Sequence, residues 1–80
     1  MIIEIQFVVP GFLPMKRWQY ECDNFESVKD TCNKFIDAWQ GAYPPPVGEQ
    51  YYVTDAMRPR AIDWLLVDMG RERLIVVEVD

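Results

Sequence analysis

The chain has no histidine, a single serine (Ser27) and only four glycines. Each shortage closes a route to chemistry. Without histidine, the commonest general acid–base group at neutral pH is missing. Ser27 has no predicted base beside it, and a hydroxyl without an activating base is a weak nucleophile. Gly11, Gly41, Gly48 and Gly70 lie too far apart to build a phosphate-cradling loop. Cys22 and Cys32 are the only cysteines, and no carboxylate is spaced to complete a zinc site with them. One ends a predicted strand and the other lies more than two turns into a predicted helix. That places their Cα atoms roughly 10 Å or more apart, too far for a disulfide. Both are expected to be small core residues. No metal and no cofactor is indicated.

Long apolar runs are also missing. Nothing approaches the roughly 18 residues needed to cross a membrane. The opening Met1-Ile2-Ile3-Glu4-Ile5-Gln6 has neither the basic start nor the uninterrupted apolar centre of a secretory signal. A cytoplasmic protein without membrane contact is expected.

What remains is apolar and aromatic. Half of the 80 residues are hydrophobic and 14% are aromatic, which is ample for one packed core and too much for a disordered tail. A single domain over residues 1–80 is expected. The net charge of −5 and pI near 4.5 set the overall field against nucleic acid and anionic membrane.

The strongest pattern is a helical stripe of Phe25, Val28, Cys32, Phe35, Ile36 and Trp39. Asp23, with Glu26 three residues on, predicts the N-cap, and Gly41 before Pro44 predicts the C-cap near Gln40. Glu26, Lys29, Asp30, Asn33, Lys34 and Asp37 make the opposite, solvated face. Before the helix, residues 2–9 alternate, with Ile3, Ile5, Phe7 and Val9 against Ile2, Glu4, Gln6 and Val8. Residues 16–22 alternate with a polar face of Arg17, Gln19 and Glu21, which suits an edge strand. After the helix, Tyr43-Pro44-Pro45-Pro46-Val47 is expected to be extended, and Tyr51-Tyr52-Val53-Thr54 to form a short strand. Ile62–Val67 and Leu74–Val79 then flank a turn in which Gly70 supplies a positive φ.

These elements predict an α+β fold with a single helix packed on a four-stranded, mostly antiparallel sheet. The arrangement is ββαββ, and its likeness to β-grasp folds is one of topology only, with the first and last strands central. One helix covers one face, yet the late strands are apolar on both. Ile3, Ile5, Phe7 and Trp18 are assigned to the helix side. The opposite face is expected to show Ile2, Val8, Trp64, Leu66, Leu74 and Val76. Residues 41–61 can fold back over it with Tyr43, Val47, Tyr51, Tyr52 and Met57; otherwise another chain covers it.

The functional expectation is therefore a small, acidic, non-enzymatic protein–protein interaction domain, either a homodimer or docked on another protein. Its expected contact residues are Tyr51, Tyr52, Arg58, Arg60, Trp64, Leu66, Leu74 and Val76. In size, charge, aromatic content and lack of catalytic apparatus the chain resembles small phage or mobile-element proteins that block host factors, anti-CRISPR proteins among them. The likeness is of type, with no shared motif. The alternative is a nucleic-acid-binding module using Arg58, Arg60, Arg71 and Arg73, with Tyr51 and Tyr52 as stacking platforms. Against it, Asp55, Asp63, Asp68 and Glu72 are interleaved with those arginines. A third reading is a small enzyme built on the strand-end carboxylates Asp63, Asp68, Glu78 and Asp80. No small-molecule ligand is evident from the sequence.

Overall fold

A computed structural model describes residues 1–48, 50, 52–53 and 64–79, with the backbone alone described at 52, 53 and 64. Strands β1 (Ile2–Val8) and β2 (Lys16–Glu21) precede one helix, α1 (Phe25–Ala42). The two-residue strand β3 (Tyr52–Val53) follows, then β4 (Trp64–Asp68) and β5 (Arg73–Glu78). The sheet order is β2-β1-β5-β4-β3, and every neighbouring pair is antiparallel. The first and last strands are thus adjacent and central, as the sequence pattern anticipates, with β3 added beyond the four long strands.

The helix begins one residue later than predicted. Asn24, extended at φ −160° and ψ −178°, is the N-cap, and Ser27 completes the box. The Ser27 N–H donates to Asn24 Oδ1 at 3.0 Å, while Ser27 Oγ accepts from the backbone N–H groups of Asp23 and Asn24. Asp23 is one position too early to reach the third helical N–H. The helix also runs past Gly41. Trp39 and Tyr43 meet one turn apart as a tilted pair with ring centroids at 4.6 Å, and the Tyr43 N–H closes on the Trp39 carbonyl at 2.7 Å. That contact holds the last turn closed until Pro44, which has no N–H to give.

Val28, Cys32 and Ile36 form the buried stripe of the helix. Phe25, included in the predicted stripe, is half exposed at the helix start. Phe35 and Trp39 are half-buried and flank the core through a chain of rings. Trp18 meets Phe35 at 4.9 Å and Trp39 at 5.9 Å, and Phe7 meets Trp39 at 5.3 Å. The Trp39 indole N–H points to Met69 Sδ at 3.2 Å.

The register corrects the predicted division of the sheet. Ile5 pairs with Val76 and Phe7 with Leu74, and directly paired residues share a face. Leu74 and Val76 therefore lie beneath the helix in the core, not on the opposite face. Leu66 is also core: the register slips between Leu65 and Val67, and this bulge buries Leu66 and Val67 together. Strict alternation across β4 does not survive that extra residue. The helix-free face carries Ile2, Glu4, Gln6 and Val8 from β1, Arg17, Gln19 and Glu21 from β2, and Ile75 and Val77 from β5.

Candidate protein-interaction site

Two features of the described surface depart from ordinary solvated polarity. One is a loop; the other is a buried charge.

The loop joins β1 to β2. Pro10 and Gly11 turn the chain back, with Gly11 at φ 89° and the Phe12 N–H donating to the Val9 carbonyl at 3.0 Å. Pro followed by a positive-φ Gly is the pattern of a type II turn, and only glycine adopts that φ at no steric cost. A second bond, from the Met15 N–H to the Phe7 carbonyl at 2.9 Å, closes the base of the loop. Between these two clamps Phe12 is 75% exposed, Leu13 82% and Met15 62%. Burying an aromatic or leucine side chain typically contributes about 1.5–3 kcal/mol, so the loop leaves that stabilisation unused in the monomer. Phe12 and Pro14 line a shallow cleft with Val8, Leu65, Ile75 and Arg73, at one end of the helix-free face. On the other side, Met15 and Lys16 border an open cleft of about 790 Å³ with Phe7, Trp39, Tyr43 and Met69. The apolar tip is thus rooted between two concave surfaces and sits beside two cations, Lys16 and Arg73.

The buried charge is Glu4, 6% exposed at the centre of the helix-free face. Its Oε2 accepts from Gln19 Nε2 at 2.8 Å and its Oε1 from Gln6 Nε2 at 2.7 Å; Arg17 Nε approaches Oε1 at 4.0 Å. The Gln19 amide, then the Gln6 amide, hold the carboxyl below its ordinary pKa, with Arg17 adding a smaller attraction and burial opposing all three. The group works as a polar rivet between β1 and β2.

The nucleophile candidates are held in structural roles. Ser27 Oγ donates to the Asn24 carbonyl at 2.8 Å while accepting two backbone bonds, so it is committed to the cap. Cys22 and Cys32 are free and buried, as expected of core residues. Burial, with a smaller contribution from Cys22, pushes the Cys32 thiol up to about 11. A thiol so placed stays protonated and unreactive at neutral pH. Among the described residues no group of acids and thiols converges to hold a metal ion, and no helix is long and apolar enough to cross a membrane.

Of the contact residues predicted from sequence, Leu66, Leu74 and Val76 are core. Tyr51, Arg58 and Arg60 lie outside the described residues, as do the side chains of Tyr52 and Trp64. For the proposed basic patch, Arg71 and Arg73 are both exposed near the β4–β5 turn, where Gly70 has φ 90° as expected. Phe12, Leu13 and Met15 are absent from the residues predicted from sequence, since Pro10, Gly11 and Pro14 mark their segment as connection. The signal was there: a loop is normally polar, and this one carries large apolar side chains between its breakers. Compared with known proteins, the chain matches no family model, no curated protein and no solved structure.

Proposed function

We propose that this chain is a small acidic, non-enzymatic interaction domain whose docking element is the β1–β2 loop. The observation that carries the reading is the exposure of Phe12 and Leu13 at the tip of a doubly clamped turn. A held conformation lowers the ordering cost of binding, and exposed aromatic and aliphatic side chains are the usual anchors of an interface. The partner is a folded protein with an apolar pocket and an acidic rim. Phe12 and Leu13 fill the pocket, and Lys16 and Arg73, next to the tip, meet the rim. The acidic remainder of the molecule opposes attachment to nucleic acid. Blocking a host factor, in the manner of small phage or mobile-element inhibitors, is the version of this function that size and charge favour.

The test compares wild type with the F12S/L13S variant as bait in cell lysate, followed by direct titration of the purified captured protein. A partner held by wild type, released by the variant and cross-linked to residues 9–15 supports the reading. Equal capture by both, or by neither, overturns it. A salt-sensitive complex with oligonucleotides that survives F12S/L13S would instead favour the nucleic-acid alternative.

A further inference from the structure

β2 is an outer strand: β1 occupies one side of it, and among the described residues no strand occupies the other. Which of its residues turn their backbone outward follows from the pairing. Met1 and Cys22 exchange both backbone hydrogen bonds, each 2.8 Å long. In an antiparallel ladder, bonded and non-bonded pairs alternate along the strand. The same register makes Tyr20 with Ile3, and Trp18 with Ile5, bonded pairs that face inward. Arg17, Gln19 and Glu21 therefore present their N–H and C=O groups to the open edge. Their side chains are exposed and lie on the helix-free face.

The segment Arg17-Trp18-Gln19-Tyr20-Glu21 is self-complementary about Gln19. Its ends carry opposite charges, and both residues flanking the centre are aromatic. We propose that two copies of the chain associate by antiparallel pairing of β2 with β2, on a two-fold axis at Gln19. In this register Arg17 faces Glu21 of the second copy, Gln19 faces Gln19, and Glu21 faces Arg17. All are outward-turned residues, so each pair can exchange both backbone bonds. Trp18 then stands opposite Tyr20 of the second copy on the helix side, and both helices lie on one side of the joined sheet. Side chains directly opposite one another are about 4.5–5.5 Å apart at Cβ, within reach of an ion pair or an aromatic contact. Arg17 is 56% exposed and only 4.0 Å from Glu4 at its nearest, so its guanidinium is not fully engaged within its own chain. Shifting the register by one ladder step in either direction puts Gln19 opposite a charge and separates Arg17 from Glu21. Charged side chains usually protect an edge strand from pairing; here their antisymmetric order selects one pairing. The surface is distinct from the Phe12–Leu13 tip, and the dimer stands or falls independently of that reading.

The experiment is sedimentation velocity on the full chain from micromolar to sub-millimolar concentration. Wild type is expected to dimerise, and R17E and E21R alone each to weaken association by about tenfold or more, since each swap turns two attractions into repulsions. An equimolar mixture of R17E and E21R is expected to restore the complex, because each then offers the charge the other lacks. Gln19→Pro, which removes an outward N–H and the side-chain bond to Glu4 while sparing the backbone bonds to β1, is expected to abolish it. Circular dichroism of each variant confirms that the fold is retained. A wild type that is monomeric throughout the range overturns the proposal. So does a dimer indifferent to R17E and E21R, or one that their mixture does not restore.

Discussion

Replacing Trp39 by alanine is the sharpest test of how the helix is fastened to the sheet. The ring tilts against Tyr43 at 4.6 Å and Phe7 at 5.3 Å and meets Trp18 edge-on at 5.9 Å, and its N–H reaches Met69 Sδ at 3.2 Å. Truncating a buried tryptophan or phenylalanine typically costs about 3–5 kcal/mol, with ring pairs adding about 0.5–1.5 kcal/mol beyond area. Trp39 is half-buried, which reduces the first contribution, while its several ring partners raise the second. A loss of about 3 kcal/mol is the balance of these two effects. A domain of this size has a total stability of about 4–12 kcal/mol, so Trp39→Ala should leave a marginal fold. At roughly 4–8 °C per kcal/mol the melting temperature should fall by about 12–24 °C. Trp39→Phe keeps most ring contacts and loses the N–H to sulfur contact, so about 1 kcal/mol is expected. Urea unfolding followed at 222 nm measures both without relying on the tryptophan signal. A Trp39→Ala loss below about 0.5 kcal/mol, the level of an ordinary surface substitution, would refute the claim that the ring chain anchors the helix.

Asn24→Ala should cost about 1 kcal/mol in urea unfolding, and Asp23→Ala markedly less, because Asn24 alone caps the third helical N–H. Glu4 has a depressed folded-state pKa, so its contribution is present above its ordinary value of 4.5 and lost as pH falls through the lower folded value. Glu4→Gln should therefore be less stable than wild type at pH 7, with the gap closing on acidification below about 4.5. The Cys32 thiol has a raised pKa, so its contribution is complete below its ordinary 9.0 and is lost as pH rises toward about 11. In a Cys22→Ala background, a thiol reagent at pH 8 should label Cys32 only in denaturant; rapid labelling of the folded chain would show that the thiol is not buried.

The helix and the long strands were legible because they depend on period; the strand order was one of those the pattern allowed, since hydropathy does not say which strands pair. Val28, Cys32 and Ile36 recur at helical spacing, and β1 alternates without interruption. The helix ends were less legible, since Asp23 and Asn24 are both competent caps. Geometry, set by the reach of Ser27, decides between them. The division of the sheet into two faces failed at β4 and β5 for a different reason. Their residues are apolar on both sides, so hydropathy carries no parity there, and the bulge at Leu66 reverses the count within the strand. The Phe12–Leu13 tip has no period to reveal it, because Pro10, Gly11 and Pro14 give its segment the composition of a connection.

The pairing of β1 with β5 also has a consequence for how the protein comes into being. Ile3 lies beside Glu78, so the middle of the sheet is assembled from residues at opposite ends of the sequence. During vectorial synthesis β1, β2 and α1 emerge early, but the other flank of β1 has no partner until β5 has been made. The earlier portion must wait with a strand edge open, which is the situation that invites mispairing and slows folding. The same seam makes the chain divisible: cut between α1 and β4, its two portions still carry complementary edges, and reconstitution from separate fragments becomes a direct reading of that seam's strength.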